Sequence, residues 1–178
     1  MTDRDLQQKR YIAAAIDIAV AIGIGLAFGI VSVIAGFVFG RATSSSMIGV
    51  YLPRVVSFVG SLVGLGYVLG RDVVTGDRSL GKQLQGIRVV TVAGLPIGFM
   101  ESARRNAIFA IGSALGVISA TLQLVPCLGD VVSCLLIPFL ILGGLISLGA
   151  AVYELLQITQ RNDGVRYGDQ MAGTRVVR

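Results

Sequence analysis

The chain has 178 residues, 54% hydrophobic and 14% charged, with a net charge of +5, 24 glycines, 2 cysteines and no His or Trp. Its mean hydropathy is +0.80, whereas a soluble domain carries about a quarter charged residues, so this much apolar surface on so small a protein calls for a lipid phase. The absence of His excludes a His-based zinc site, a Ser-His-Asp triad and a His-ligated haem, and two cysteines alone cannot complete a four-ligand metal site.

The first ten residues are polar, with Arg4, Lys9 and Arg10 leading into a first span at about 12–40 whose only charge is Asp17. Its uncharged part, Ile18 to Gly40, is 23 residues long. At 1.5 Å per residue it covers roughly 34 Å, enough to cross the hydrocarbon core. A cleaved signal peptide has an apolar core of about 7–15 residues, so this helix is retained. Arg41 to Ser46 forms a turn. A second span lies at about 50–70, with Pro53 and Arg54 near its start, where Arg54 can snorkel to the interface. A loop at 71–105 precedes a third span at about 106–127 and a fourth at about 131–155, separated by Pro126, Cys127, Gly129 and Asp130. The whole chain, 1–178, reads as one membrane domain.

The segments 1–10, 71–105 and 161–178 hold 3, 6 and 4 of the 15 Lys and Arg. That asymmetry places both termini and the middle loop in the cytoplasm, in a multi-pass protein of the cell membrane. Because the bases flank apolar runs, they report topology, and no nucleic-acid partner is expected. Gly86-Ile-Arg-Val-Val90 and Gly173-Thr-Arg-Val-Val177 share one short β-branched pattern, and Gly94-Leu-Pro96 is a turn signal. They predict a small cytoplasmic β-pairing that ties the tail back to the loop. Two short strands are marginal alone, so they must rest on the helix ends or on the amphipathic stretch from Ile97 to Arg105. The expected fold is therefore an all-α membrane protein with four transmembrane helices and a small β-pairing.

With these pieces in order, the chain resembles the RDD family of small membrane proteins. Arg10-Tyr-Ile-Ala-Ala-Ala-Ile-Asp17 is similar to the family's opening, and Gly76-Asp-Arg-Ser-Leu-Gly-Lys82 with Gly86-Ile-Arg-Val-Val90 to its cytoplasmic loop. Arg104-Arg-Asn106 and Arg166-Tyr-Gly-Asp-Gln-Met-Ala-Gly-Thr174 complete the four blocks, which run from residue 10 to the C-terminus. The family's name refers to one arginine and two aspartates. By position these are Arg10 and Asp17, with Asp169 as the second aspartate and Asp72 and Asp77 as alternatives. The last apolar region, from Asn106 to Tyr153, departs from the family's common pattern in being long enough for two spans, where one is expected in shorter relatives. The resemblance implies membership, and ion or solute transport has been proposed for the family.

Asp17 is the first candidate for chemistry. A carboxylate in hydrocarbon must face water, be paired or be protonated. It can bind a proton or cation, or serve as a polar lock between helices. Arg10 lies on the same helical face but about 10 Å away along the axis. Arg104 and Arg105, at the same membrane side, are candidate partners. Gly76-x-x-x-x-Gly81-Lys82 suggests a P-loop, but Gln83 stands where Ser or Thr is needed and no strand precedes it. Arg78, Lys82 and Arg88 instead suit anionic headgroups or a protein partner. The pairs Gly25/Gly29, Gly36/Gly40, Gly60/Gly64 and Gly112/Gly116 permit close helix crossings, within the bundle or in a homo-oligomer. Cys127 and Cys134 flank the outer turn. A disulfide is permitted outside the cytoplasm, yet on one continuous helix the two are too far apart to join. Two functions follow: an ion- or proton-coupled transporter using Asp17, or a non-transporting assembly factor or scaffold in a membrane complex. Neither an enzyme nor a cofactor is expected.

Overall fold

A computed structural model describes residues 3–42, 47–74, 76, 78–125, 129–160 and 165–177. In chain order the elements are α1 (Asp3–Ala42), α2 (Met47–Gly70), α3 (Leu80–Leu84), β1 (Arg88–Thr91), α4 (Phe99–Gln123), α5 (Gly129–Gln160), α6 (Tyr167–Ala172) and β2 (Thr174–Val177). Four helices carry segments long and apolar enough to span a membrane: Asp5–Phe39, Met47–Gly70, Phe99–Gln123 and Cys134–Glu154. The four long apolar helices expected are therefore present, with bounds that differ from the expected spans. α1 has 40 residues, about 60 Å at 1.5 Å per residue, so part of it projects beyond a hydrocarbon core of about 30 Å. α4 starts at Phe99, not at 106, so the stretch expected to be a separate amphipathic piece of the loop is the first turns of a transmembrane helix. Nothing from Phe99 onward breaks that helix. Glu101 secures its start by accepting from the Gly98 N–H at 2.9 Å, and the charge at Arg105 is paired rather than solvated.

The four long helices pack in sequence, α1 on α2, α2 on α4 and α4 on α5, while α1 and α5 hardly touch. Viewed down its axis the bundle is a C, open between its first and last members. Some of the expected glycine crossings are present: a Cβ at Gly60 would meet Phe28, and Gly112 lies against Gly143 and Ser147. Gly25, Gly29, Gly64 and Gly116 are different, since nothing lies within 4 Å of where their Cβ would be. All four border a cavity.

At one end of the bundle the predicted β-pairing is present. β1 and β2 run antiparallel, with Arg88 opposite Val177 and Thr91 opposite Thr174. Gly94, at φ +83°, allows the tight turn in which Thr91 N–H donates to the Leu95 carbonyl. The strands do not stand alone. Ile87 and Val89 are fully buried, and Val90 and Ile97 nearly so, giving this end an apolar core of its own. The tail, the middle loop and the start of α1 thus meet at a single end, termed the loop end below.

Candidate functional site

Six segments converge at the loop end. α1 contributes Arg10 and Asp17, the turn after α2 contributes Arg71 and Asp72, and α3 with its cap contributes Ser79, Gly81 and Lys82. α4 supplies Arg105 and Asn106, α5 supplies Glu154, and the α6 segment supplies Arg166 and Asp169. Asp17, Asp72, Lys82, Arg105, Asn106, Glu154 and Asp169 are all buried. Charges so far from water persist only when paired and hydrogen-bonded.

Asp17 is held by the loop. Its Oδ2 accepts from the Ser79 hydroxyl at 2.5 Å and its Oδ1 from the Gly81 N–H at 2.8 Å. Ser79 is also the N-cap of α3 and accepts from the Lys82 N–H, so one side chain starts the short helix and fastens it to α1. Close approach requires Gly81: a Cβ there would run into the Ala13 carbonyl oxygen. Among the described residues no cation pairs with Asp17, contrary to the expectation that Arg104 or Arg105 would do so.

Asp169 is the hub of the second half. Arg10 donates to its Oδ2 at 3.0 Å, and Arg105 Nη2 lies 2.8 Å from its Oδ1. The Arg166 N–H donates to Oδ2 at 3.2 Å, closing the first turn of α6. Arg166 also donates to Glu154 at 3.0 Å, and Glu154 accepts from the Gly168 N–H at 3.3 Å. Here too a glycine is required, because a Cβ at Gly168 would collide with the Arg105 carbonyl. Asp72 joins the halves: Lys82 donates to Oδ1, Asn106 donates to Oδ2 at 3.1 Å, and Arg105 Nε lies 3.4 Å from Oδ2.

The charges answer their surroundings. Burial works to raise the Asp72 carboxyl, but Lys82, Arg105 and Arg71 outweigh it and hold it well below the usual range. Burial likewise opposes ionisation of Asp169, and Arg105, Arg166 and Arg10 again win, lowering it. Burial brings the Lys82 ammonium down to about 7, with Asp72 opposing and the neighbouring arginines assisting.

The reading of the three loop bases changes in one place. Arg88 is exposed and Arg78 half-buried, but Lys82 is only 7% exposed and is turned inward onto Asp72. Buried and donating to Asp72, it does not present its ammonium to headgroups. Cys127 and Asp77 lie outside the described residues, and Cys134 is exposed on α5. Sequence reasoning passed over Glu154 and Arg166. Glu154, the acid that ends a long uncharged run, carried the signal that an ionisable residue at a span is rarely idle.

Above the network lies a cavity of about 530 Å³, bordered by Arg10, Asp17, Arg71, Arg105 and Glu154 and walled by apolar residues of α1 and α5. A second cavity of about 350 Å³ lies along α1, α2 and α4, and Ala21 lines both. Apart from Phe28 its walls are small and hydroxyl side chains, Gly25, Gly29, Ser57 and Ser61 among them. Among the described residues no cluster of His, Cys, Asp and Glu could hold a metal ion.

The sequence profile of the RDD family matches residues 7–173, nearly the whole chain. The chain belongs to the RDD family. No curated protein and no solved structure matches it. Membership agrees with the four apolar helices in making this an integral membrane protein. Of the three positions read as the arginine and aspartates of the RDD name, Arg10 and Asp169 form a direct ion pair across 159 residues of chain, while Asp17 binds the loop.

Proposed function

We propose that this RDD protein moves a small anion across the membrane through the two cavities, with the loop end facing the cytoplasm. The orientation rests on the positive-inside asymmetry. The observation that carries the transport reading is the pair of neighbouring cavities that share Ala21 as a lining residue, the first bordered by more bases than acids. Arg10, Arg71, Lys82, Arg105 and Arg166 reach it, against Asp17 and Glu154 alone. Both Asp17 oxygens are already engaged, so Asp17 serves as a latch on the loop and not as the carrier of a cation. A low-dielectric wall lined with cations favours anions and disfavours cations.

The test is flux in proteoliposomes holding the purified full chain, with chloride, phosphate and sodium as probes. The expected result is anion efflux, with no sodium flux, and its suppression by Ala21→Trp, which adds bulk at the shared lining residue while leaving the ion network intact. Absence of anion flux in the wild type, or flux that Ala21→Trp leaves unchanged, overturns the reading.

A second reading, a non-transporting scaffold, draws support from apolar side chains exposed at the loop end: Leu84 at 73%, Val92 at 67% and Leu95 at 63%. Such side chains suit a partner surface. On this reading a membrane complex purified in mild detergent dissociates when Leu84 and Val92 are both replaced by Ser. Isolation of a lone species from native membranes counts against it.

A further inference from the structure

The larger cavity has two unlike parts, and the difference specifies a ligand. Toward the loop end it is cationic. Arg71 donates twice to the neutral Asn106 Oδ1, at 2.6 and 3.0 Å, and stacks on Phe109; among the described residues it makes no ion pair or hydrogen bond with a carboxylate, although its charge acts on the neighbouring Asp72. Arg105, whose side chain is wholly buried, has ion pairs at Nε and Nη2, while its Nη1 has neither an ion pair nor a hydrogen bond among the described residues. A buried guanidinium nitrogen without an acceptor is costly, and an anionic oxygen supplied by a ligand would satisfy it.

Away from the loop end the same cavity is apolar and borders the gap in the C. Ile18 and Ile22 of α1 and Leu148 and Ala151 of α5 form its sides, and these two helices hardly touch. In a bilayer such a gap faces acyl chains, not water. At the loop end Arg10 of α1 reaches Asp169, whereas farther along α1 and α5 stand apart toward the lipid. A free inorganic anion would satisfy the guanidinium but leave the apolar walls empty.

We propose that the cavity is a lateral binding site for a single anionic amphiphile, its phosphate or carboxylate head against Arg71 and Arg105 and its acyl chain lying in the gap between α1 and α5. This goes beyond the transport reading and names a resident ligand for the larger cavity, an amphiphilic anion. The volume, about 530 Å³, is that of a ligand pocket of about 300–1,000 Å³.

Native mass spectrometry of the full chain in detergent tests it, with phosphatidylglycerol, phosphatidylcholine and inorganic phosphate as probes. One phosphatidylglycerol is retained per chain, roughly tenfold more strongly than phosphatidylcholine, as a charge-assisted hydrogen bond warrants. Ala151→Phe, which fills the gap without touching the ion network, abolishes retention while circular dichroism and thermal stability hold. Arg71→Gln removes the preference over phosphatidylcholine. Equal retention of the two lipids overturns the proposal, as does retention of inorganic phosphate with Ala151→Phe silent, which marks a free-anion site. Anion flux in proteoliposomes without lipid retention sinks this inference and leaves the transport reading standing. Retention without flux does the reverse.

Discussion

The two halves of the bundle are built on different principles. At the loop end, buried charges from six segments are fixed by directed bonds, and Asp169 alone gathers Arg10, Arg105 and Arg166. Beyond Ala21 the polar contacts are sparser and mostly neutral, such as the Ser32 hydroxyl bonded to the Pro53 carbonyl and to Ser57, each at 3.0 Å, and Arg54 there donates to a backbone carbonyl, that of Gln123. The loop end fixes how helices, loop and tail register with one another. The other half leaves glycine and serine facing a cavity. A membrane bundle has little hydrophobic drive between its helices, so a specific end can hold the assembly while the remainder keeps open space.

That contrast sets the order of effects expected from disruption. Asp169→Ala strands Arg10 and Arg105 in a buried site and should cost about 3–5 kcal/mol. The measurement is unfolding of the micelle-bound protein by SDS titration, and a loss below about 1 kcal/mol would contradict the hub role. Acidification attacks the same end. Asp72 and Asp169 are held below the ordinary carboxylate value in the folded protein. Below about pH 4 the unfolded chain therefore takes up protons that the folded chain refuses, and stability falls as pH drops through that value. The melting temperature should be level between about pH 6 and pH 5 and decline below about pH 4, because the chain has no His to titrate between. Gly81→Ala should cost about 1–3 kcal/mol, since the added methyl meets the Ala13 carbonyl and overpacks the loop against α1. At the far half, Ser32→Ala removes only neutral hydrogen bonds and should cost about 1 kcal/mol or less. An effect there as large as that of Asp169→Ala would erase the distinction between the halves.

The four apolar helices, the pairing of the two Gly-x-Arg-Val-Val repeats and the placement of Asp17 and Arg10 as charges at a membrane edge were legible in the sequence. Each is a local signal: a long uncharged run, a repeated β-branched pattern, or a charge at a membrane edge. What Asp17 binds was not legible, because its partners are a hydroxyl and a backbone N–H 62 and 64 residues away. No composition rule pairs a carboxylate with a glycine. Lys82 was misplaced for a related reason. A base in a polar loop reads as solvated, and only the fold of that loop beneath α1 turns it onto Asp72. Gly25, Gly29, Gly64 and Gly116 had the spacing of helix crossings, yet spacing does not reveal whether the partner is a helix or a void.

The central claim is that Asp17 latches the loop to α1 through Ser79. A double-mutant cycle of Asp17→Asn and Ser79→Ala, read by SDS unfolding, tests it most directly. The latch predicts a coupling of about 1 kcal/mol or more between the two substitutions. Strict additivity, with each change acting as though the other were absent, would contradict it.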